Sequence, residues 1–189
     1  MKKIILTITL LIATLSITGC GSATVTPEVK KAFDANATMY TQLNMRYNMS
    51  RRLTLVETTN FRVGVLIPVN SKVTLQDVND KQIVFVYKGK NITLQNKAKY
   101  SGKNISEIFT RYFSNKKLDL SHFSKLEQKA IETGELKGGM SKKAVLVSLG
   151  YPPVHHTPTL EMNEWKFWKD RWTTYMVYFD KDKVVSGPK

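Results

Sequence analysis

The sequence predicts an α+β protein in two parts. The first is a small β-rich, SH3-like module, and the second has the order helix, helix, strand, strand, strand. Three observations carry this. Between residues 43 and 95, short runs of β-branched and aromatic residues alternate with turn residues, the pattern of several short strands. Between residues 121 and 150, two apolar stripes at helical spacing each begin at a serine and end at a glycine, as capped helices do. Beyond Pro158, the runs "EWKFWK" and "WTTYMVYF" and a last short run at residues 183–186 read as strands.

The chain opens with Lys2 and Lys3 ahead of an apolar stretch, residues 4–17, then small residues and the only cysteine. This predicts a signal peptide over residues 1–19, excluded from the fold. The stretch is shorter than the roughly 20 residues that span a bilayer, and no later stretch is apolar enough to cross one. Ile17-Thr18-Gly19-Cys20 resembles the lipobox of bacterial lipoproteins. The resemblance implies cleavage before Cys20 and a covalent lipid on it, the one prosthetic group expected; a plain cleaved signal with an incidental cysteine is the alternative. Lipid chains contribute about 0.8 kcal/mol per buried methylene, so two or more anchor a protein firmly. Gly21 and Ser22 lack the aspartate that retains many lipoproteins on the inner membrane, which implies the outer membrane, facing the periplasm. One cysteine leaves no internal disulfide. Residues 20–42 are small, polar and weakly periodic, and are expected to form a tether.

The formal charge is +14, and without Lys2 and Lys3 it is +12, from 27 basic and 15 acidic residues. In a cytosolic protein this would suggest nucleic acid. Export removes that partner and leaves phospholipid headgroups, lipopolysaccharide phosphates, peptidoglycan carboxylates and acidic faces of envelope proteins. The lysines are dispersed, so a solvated basic surface is the competing reading.

The β-rich module is expected over residues 43–114. "KVTLQDV", "QIVFVYK" and "NITLQN" are its clearest strands, separated by turns at residues 78–81 and 88–90; Pro68 and Asn70-Ser71 mark another turn upstream. Gly64, Gly89 and Gly102 are isolated, which fits turns and not a phosphate-binding loop. A helix follows: Asn104 can cap it, Glu107 can reach back to the cap, and Ile105, Ile108, Phe109, Tyr112 and Phe113 form its apolar stripe. The pattern breaks at residues 115–120, the expected boundary. In the second module, residues 121–189, Ser121 or Ser124 caps a helix ending at Gly134, and Ser141 caps another ending at Gly150.

The stretches "KGGMSKKAVLVSLGYP", "EWKFW" and "MVYFDKDKVVSG" resemble the SmpA/OmlA, or BamE-like, domain of the outer-membrane β-barrel assembly machine and other envelope lipoproteins. The matching positions are Gly139, Met140, Val145, Leu149, Gly150, Pro152, Trp165, Trp168, Val177 and Phe179. The chain is also similar to bacterial lipoproteins in which this module follows a β-rich segment, with patterns like "FSKLEQKAI", "GYPPxHxTP" and "WxYW". Here Phe167 replaces the tyrosine and Trp172 follows Arg171. The likeness covers residues 121–187 well and 43–113 thinly. It implies a non-catalytic accessory or scaffold subunit of an envelope complex, for outer-membrane assembly or secretion. A module binding peptidoglycan or anionic lipid is the alternative.

The candidate chemistry is sparse. The chain has three histidines, His122, His155 and His156, whereas zinc needs three or four convergent ligands. In an extended segment His155 and His156 would point to opposite sides. Cys20 is committed to lipid, and no serine sits in a nucleophile elbow. Glu161, Glu164, Asp170, Glu132 and Glu135 would pair only by coincidence of folding. No metal and no catalytic residue is expected. The resemblance makes "PPxHxTP" a rigid connection from helix to sheet, with Gly150, Pro152, Pro153, His155 and Pro158 as its structural residues and His155 hydrogen-bonded to backbone.

A two-residue turn at Asp170-Arg171 would put Trp165, Phe167, Trp172, Met176 and Tyr178 on one face of the hairpin. Trp168, Tyr175, Val177 and Phe179 would take the other. Both faces would be apolar, one covering the helices. The other either packs on the first module or forms a partner site, for which Trp165, Lys166, Trp168, Lys169, Arg171 and Trp172 are the candidates.

Overall fold

The computed structural model of the chain describes residues 25–49 and 54–188. The expected signal peptide, Cys20 and the first residues of the expected tether lie outside the described residues. The fold is mixed α and β. One curled sheet has eight strands in the order β4 (Val65–Ile67), β2 (Met45–Met49), β3 (Thr54–Glu57), β7 (Lys90–Gln95), β6 (Gln82–Tyr87), β5 (Lys72–Val78), β1 (Thr38–Thr41), β8 (Phe113–Ser114). A second sheet has three, in the order β11 (Lys183–Ser186), β10 (Thr174–Asp180), β9 (Glu164–Trp168).

The expected tether is corrected from Val25 onward, because most of residues 25–42 is built into the fold. Helix α1 (Pro27–Asp34) has Pro27 in its first turn and Glu28 near its positive end, both favourable there. Val29 and Phe33, one turn apart, are each only 4% exposed. Strand β1 pairs with β5 through Met39 and Val73, and with β8 through Thr41 and Phe113. The apolar residues of this segment are few but correctly spaced, which is why composition alone suggests a linker.

Strands β5, β6 and β7 lie where the sequence places them. Lys88 and Gly89 both have positive φ, 48° and 75°, as a two-residue hairpin turn requires. At the preceding turn, the Asn79 side-chain oxygen accepts from the amides of Lys81 and Gln82. Burial alternates along β6, with Ile83, Phe85 and Tyr87 inward. Helix α3 (Ile105–Tyr112) carries the expected capping box: Asn104 accepts from the Glu107 amide and Glu107 accepts from the Asn104 amide, both at 3.0 Å. Its stripe packs on α1 through Phe109, 5.6 Å from Phe33, and the following Phe113 of β8 packs 5.3 Å from Phe85 of β6, between ring centroids.

The second part has the expected order. Helices α4 (Lys125–Thr133) and α5 (Lys142–Leu149) are capped by Ser124 and Ser141. The hairpin register differs from expectation by one residue. Trp168 faces Thr174 and Phe167 faces Tyr175, so residues 169–173 form a wider loop. The Asp170 carboxylate closes that loop by accepting from the amides of Trp172 and Thr173, both at 2.8 Å. A one-residue slip reverses a strand's faces. Trp165, Phe167, Val177, Phe179 and Val184 therefore form the core with Ala130, Ile131, Met140, Ala144 and Val145. Lys166, Trp168, Met176 and Tyr178 occupy alternate positions on the opposite face.

Buried asparagines join the two parts. The side chain of Asn44 donates to the carbonyls of Ile131 (2.6 Å) and Ser148 (3.2 Å) and accepts from the Val69 amide (2.7 Å). Asn60 donates to the Tyr151 carbonyl at 3.0 Å and accepts from the Tyr112 hydroxyl at 3.0 Å. Burial pushes that hydroxyl up to about 12, so it remains a protonated donor.

Candidate functional site

The hairpin supplies the most exposed aromatic group. Trp172 is 86% exposed at the tip, beside Arg171 and Lys169, which are exposed too. Lys166 and Trp168 are half-buried on the outer face. Trp165 is corrected from the partner-binding set to the core, because the true register turns it inward. It is 0% exposed and packs 4.6 Å from Phe179. The Lys169 carbonyl accepts from the Arg62 amide at 3.0 Å, tying the tip to the first part of the molecule.

The proline segment connects α5 to β9. Gly150 ends the helix, Pro152 and Pro153 are buried, and Pro158 is exposed. The Pro153 carbonyl accepts from the amides of His156 (3.1 Å) and Thr157 (2.9 Å). Thr157 then accepts from the Lys166 amide at 3.1 Å and fixes the start of the sheet. Two expectations about the histidines are corrected. The chain turns here, so the rings of His155 and His156 lie together, 3.9 Å apart, and do not diverge. His155 is exposed and packs on Tyr100 at 5.0 Å; ring contacts, not a backbone hydrogen bond, hold it. Both imidazoles are held below the usual histidine range, His155 by desolvation and then by the nearby charges of Lys99 and Lys166, His156 by desolvation and then by His155 and Lys166.

His122 lies apart, against Phe123. Among the described residues no three His, Cys, Asp or Glu side chains converge as metal ligands would. Glu135 is paired with Lys137 at 2.9 Å, and Asp170 is held in its loop. The most strongly perturbed carboxylate is Glu127, which the sequence reading does not single out. Burial alone would raise it, but hydrogen bonds from Ser141 and Ser124 outweigh this and lower it to about 2. Ser124 followed three residues later by Glu127 is a capping-box signature that the sequence does contain. Glu127 also meets Lys183 at 3.3 Å, so it knits α4, α5 and β11 together. Its place is structural.

A cleft of about 170 Å³ opens where the two parts meet. Phe61, Tyr100 and Trp168 are its aromatic walls, and Glu57, Lys97 and Arg171 its charged ones. Lys97 and Glu57 are paired at 3.1 Å. Helix α2 (Ala98–Ser101) positions Tyr100, whose carbonyl accepts from the Val154 amide at 2.8 Å. Of these residues the sequence points only to Trp168 and Arg171. The others come from segments with no motif and converge only through the fold. Comparison with family models, curated proteins and solved structures finds no match to this chain.

Proposed function

We propose that this chain is a non-catalytic outer-membrane lipoprotein, held by lipid on Cys20 with its body in the periplasm. In this reading it is an accessory or scaffold subunit that binds another envelope protein. The N-terminal sheet is then an elaborated SH3-like module and the C-terminal part a BamE-like domain, whose helix, helix, strand, strand, strand order it shares. The observation that carries the partner site is Trp172, a large aromatic side chain left 86% exposed between a cationic neighbour and a hydrogen-bonded loop. Exposed aromatic and arginine side chains are the residue types that dominate protein interfaces.

A short tether fits this role. With Cys20 lipidated, only residues 21–26 separate the anchor from α1. An extended chain reaches at most about 3.5 Å per residue, so six residues hold the body no more than roughly 20 Å from the bilayer, within reach of membrane-embedded partners. The test is crosslinking in the cell followed by purification of the lipidated protein. Recovery of one stoichiometric envelope protein, lost in Trp172→Ala and Arg171→Glu, supports the proposal. Recovery of the protein alone overturns it.

A further inference from the structure

Lysines that are dispersed along the sequence are gathered by the strand register. Strand β1 lies between β8 and β5, and β6 and β7 follow β5. Tyr40 of β1 faces Lys72 at the start of β5 and Ser114 of β8. Thr74 of β5 faces Val86 of β6, and the same antiparallel register carried two residues further sets Lys72 against Lys88. Lys90 opens β7 opposite Tyr87, across the Lys88-Gly89 turn. After β8 the chain comes back to this end. The Lys116 carbonyl accepts from the Gln42 side chain at 2.9 Å, and Lys117 Nζ stands 5.7 Å from the centre of the Tyr40 ring.

Lys72, Lys88, Lys90, Lys116 and Lys117 thus share one end of the eight-stranded sheet. All are exposed, and none is in an ion pair among the described residues. The five strands hold one acidic residue, Asp77, at the far end of β5. Asp119, which follows Lys117 by two residues, is turned to the Ser121 amide at 2.8 Å. Like charges opposite each other across strands destabilise a sheet, so the Lys72 and Lys88 ammoniums oppose folding until an external anion neutralises them. Lys88 Nζ also lies 5.4 Å from the centre of the Tyr87 ring, as Lys117 lies by Tyr40. Tyrosines are enriched where a protein meets a membrane surface, and lysines there extend over apolar surface to keep their charge in the headgroup layer.

Strands in a sheet are about 4.8 Å apart, so the front from β8 to β7 is roughly 20 Å wide. That exceeds a single phosphate and calls for a surface of many anions. Among such surfaces, the bilayer is the one that the proposed lipid on Cys20 would hold beside the body, and the inference rests on that reading.

We propose that this end of the sheet docks on anionic phospholipid headgroups, with the five lysines meeting phosphates and Tyr40 at headgroup level. The test uses a chain that begins at residue 20 with Cys20→Ser; it carries no lipid and keeps every described residue. Sedimentation with vesicles of phosphatidylglycerol and phosphatidylethanolamine should capture it, vesicles of phosphatidylcholine should not, and about 0.5 M salt should release it. One lysine at an anionic surface is worth about fivefold in affinity. Lys72→Ala should therefore weaken binding about fivefold, and the triple variant Lys72→Glu, Lys88→Glu, Lys117→Glu more than hundredfold. The same charge change on α4 and α5, Lys125→Glu, Lys129→Glu, Lys143→Glu, should alter it less than threefold. Should the first triple variant fail to fold, Lys72→Ala, Lys88→Ala and Lys117→Ala carry the test singly. No capture, capture by neutral vesicles, equal losses in the two triple variants, or tighter binding to peptidoglycan sacculi than to anionic vesicles would overturn the proposal. The mass of the Cys20 peptide from cells tests the anchor separately, and partner crosslinking tests the scaffold role, so a failure of docking is distinguishable from a failure of either.

Discussion

The carboxamide of Asn60 stands where a side chain on Gly150 would have to go: a Cβ built on Gly150 would lie 2.5 Å from Asn60 Cγ. Gly150 also has φ +82°, a conformation that other residues adopt only with strain. The glycine thus ends α5 and leaves space for the asparagine that bonds Tyr112 and Tyr151 across the two parts of the molecule.

Gly150→Ala should therefore destabilise the protein by about 2–4 kcal/mol, read as a lower midpoint in denaturant unfolding. Combined with Asn60→Ala the loss should be less than the sum, since the second change clears the space the new methyl needs. Strict additivity would show that the two residues do not meet.

Asn44→Asp should be worse than Asn44→Ala. The amide nitrogen that donates to Ile131 and Ser148 would become a buried carboxylate oxygen facing two carbonyls, adding repulsion to the lost bonds. Equal thermal stability of the two variants would contradict the role of Asn44 as a donor to the carbonyls of both helices.

Glu127 makes stability acid-sensitive. Its folded pKa, about 2, lies below the ordinary 4.5, so its contribution is present above pH 4.5 and is lost as pH falls toward 2. Allowing for solvent screening, the loss is about 2 kcal/mol. Glu127→Gln should lower stability at pH 7 and flatten its fall below pH 4.5, measured by urea unfolding across that range. An unchanged acid limb would remove Glu127 from this role.

The tryptophans should separate cleanly. Trp172→Ala should change stability by less than about 0.5 kcal/mol, as an exposed substitution does. Trp165→Ala should cost about 3–5 kcal/mol, because it empties a core position. Acrylamide quenching of the variants checks this independently, with Trp172 as the accessible fluorophore and Trp165 as the protected one.

Much of the local structure was legible in the sequence. Ser124, Ser141 and Asn104 cap helices, and the Lys88-Gly89 turn joins β6 to β7, because each depends on hydrogen bonds and φ/ψ preferences within a few residues. Val29 and Phe33 show the limit: their spacing is helical, but only the sheet beneath shows that α1 is core and not tether. The hairpin register was decided by Asp170 closing a five-residue loop, residues 169–173, in place of a two-residue turn, and the resulting one-residue shift in register moved Trp165 inside. Glu57, Phe61, Lys97, Tyr100 and Trp168 line one cleft although no motif links them. Such convergence comes from long-range strand pairing and packing, whose partners are set by the whole chain and not by any neighbourhood within it.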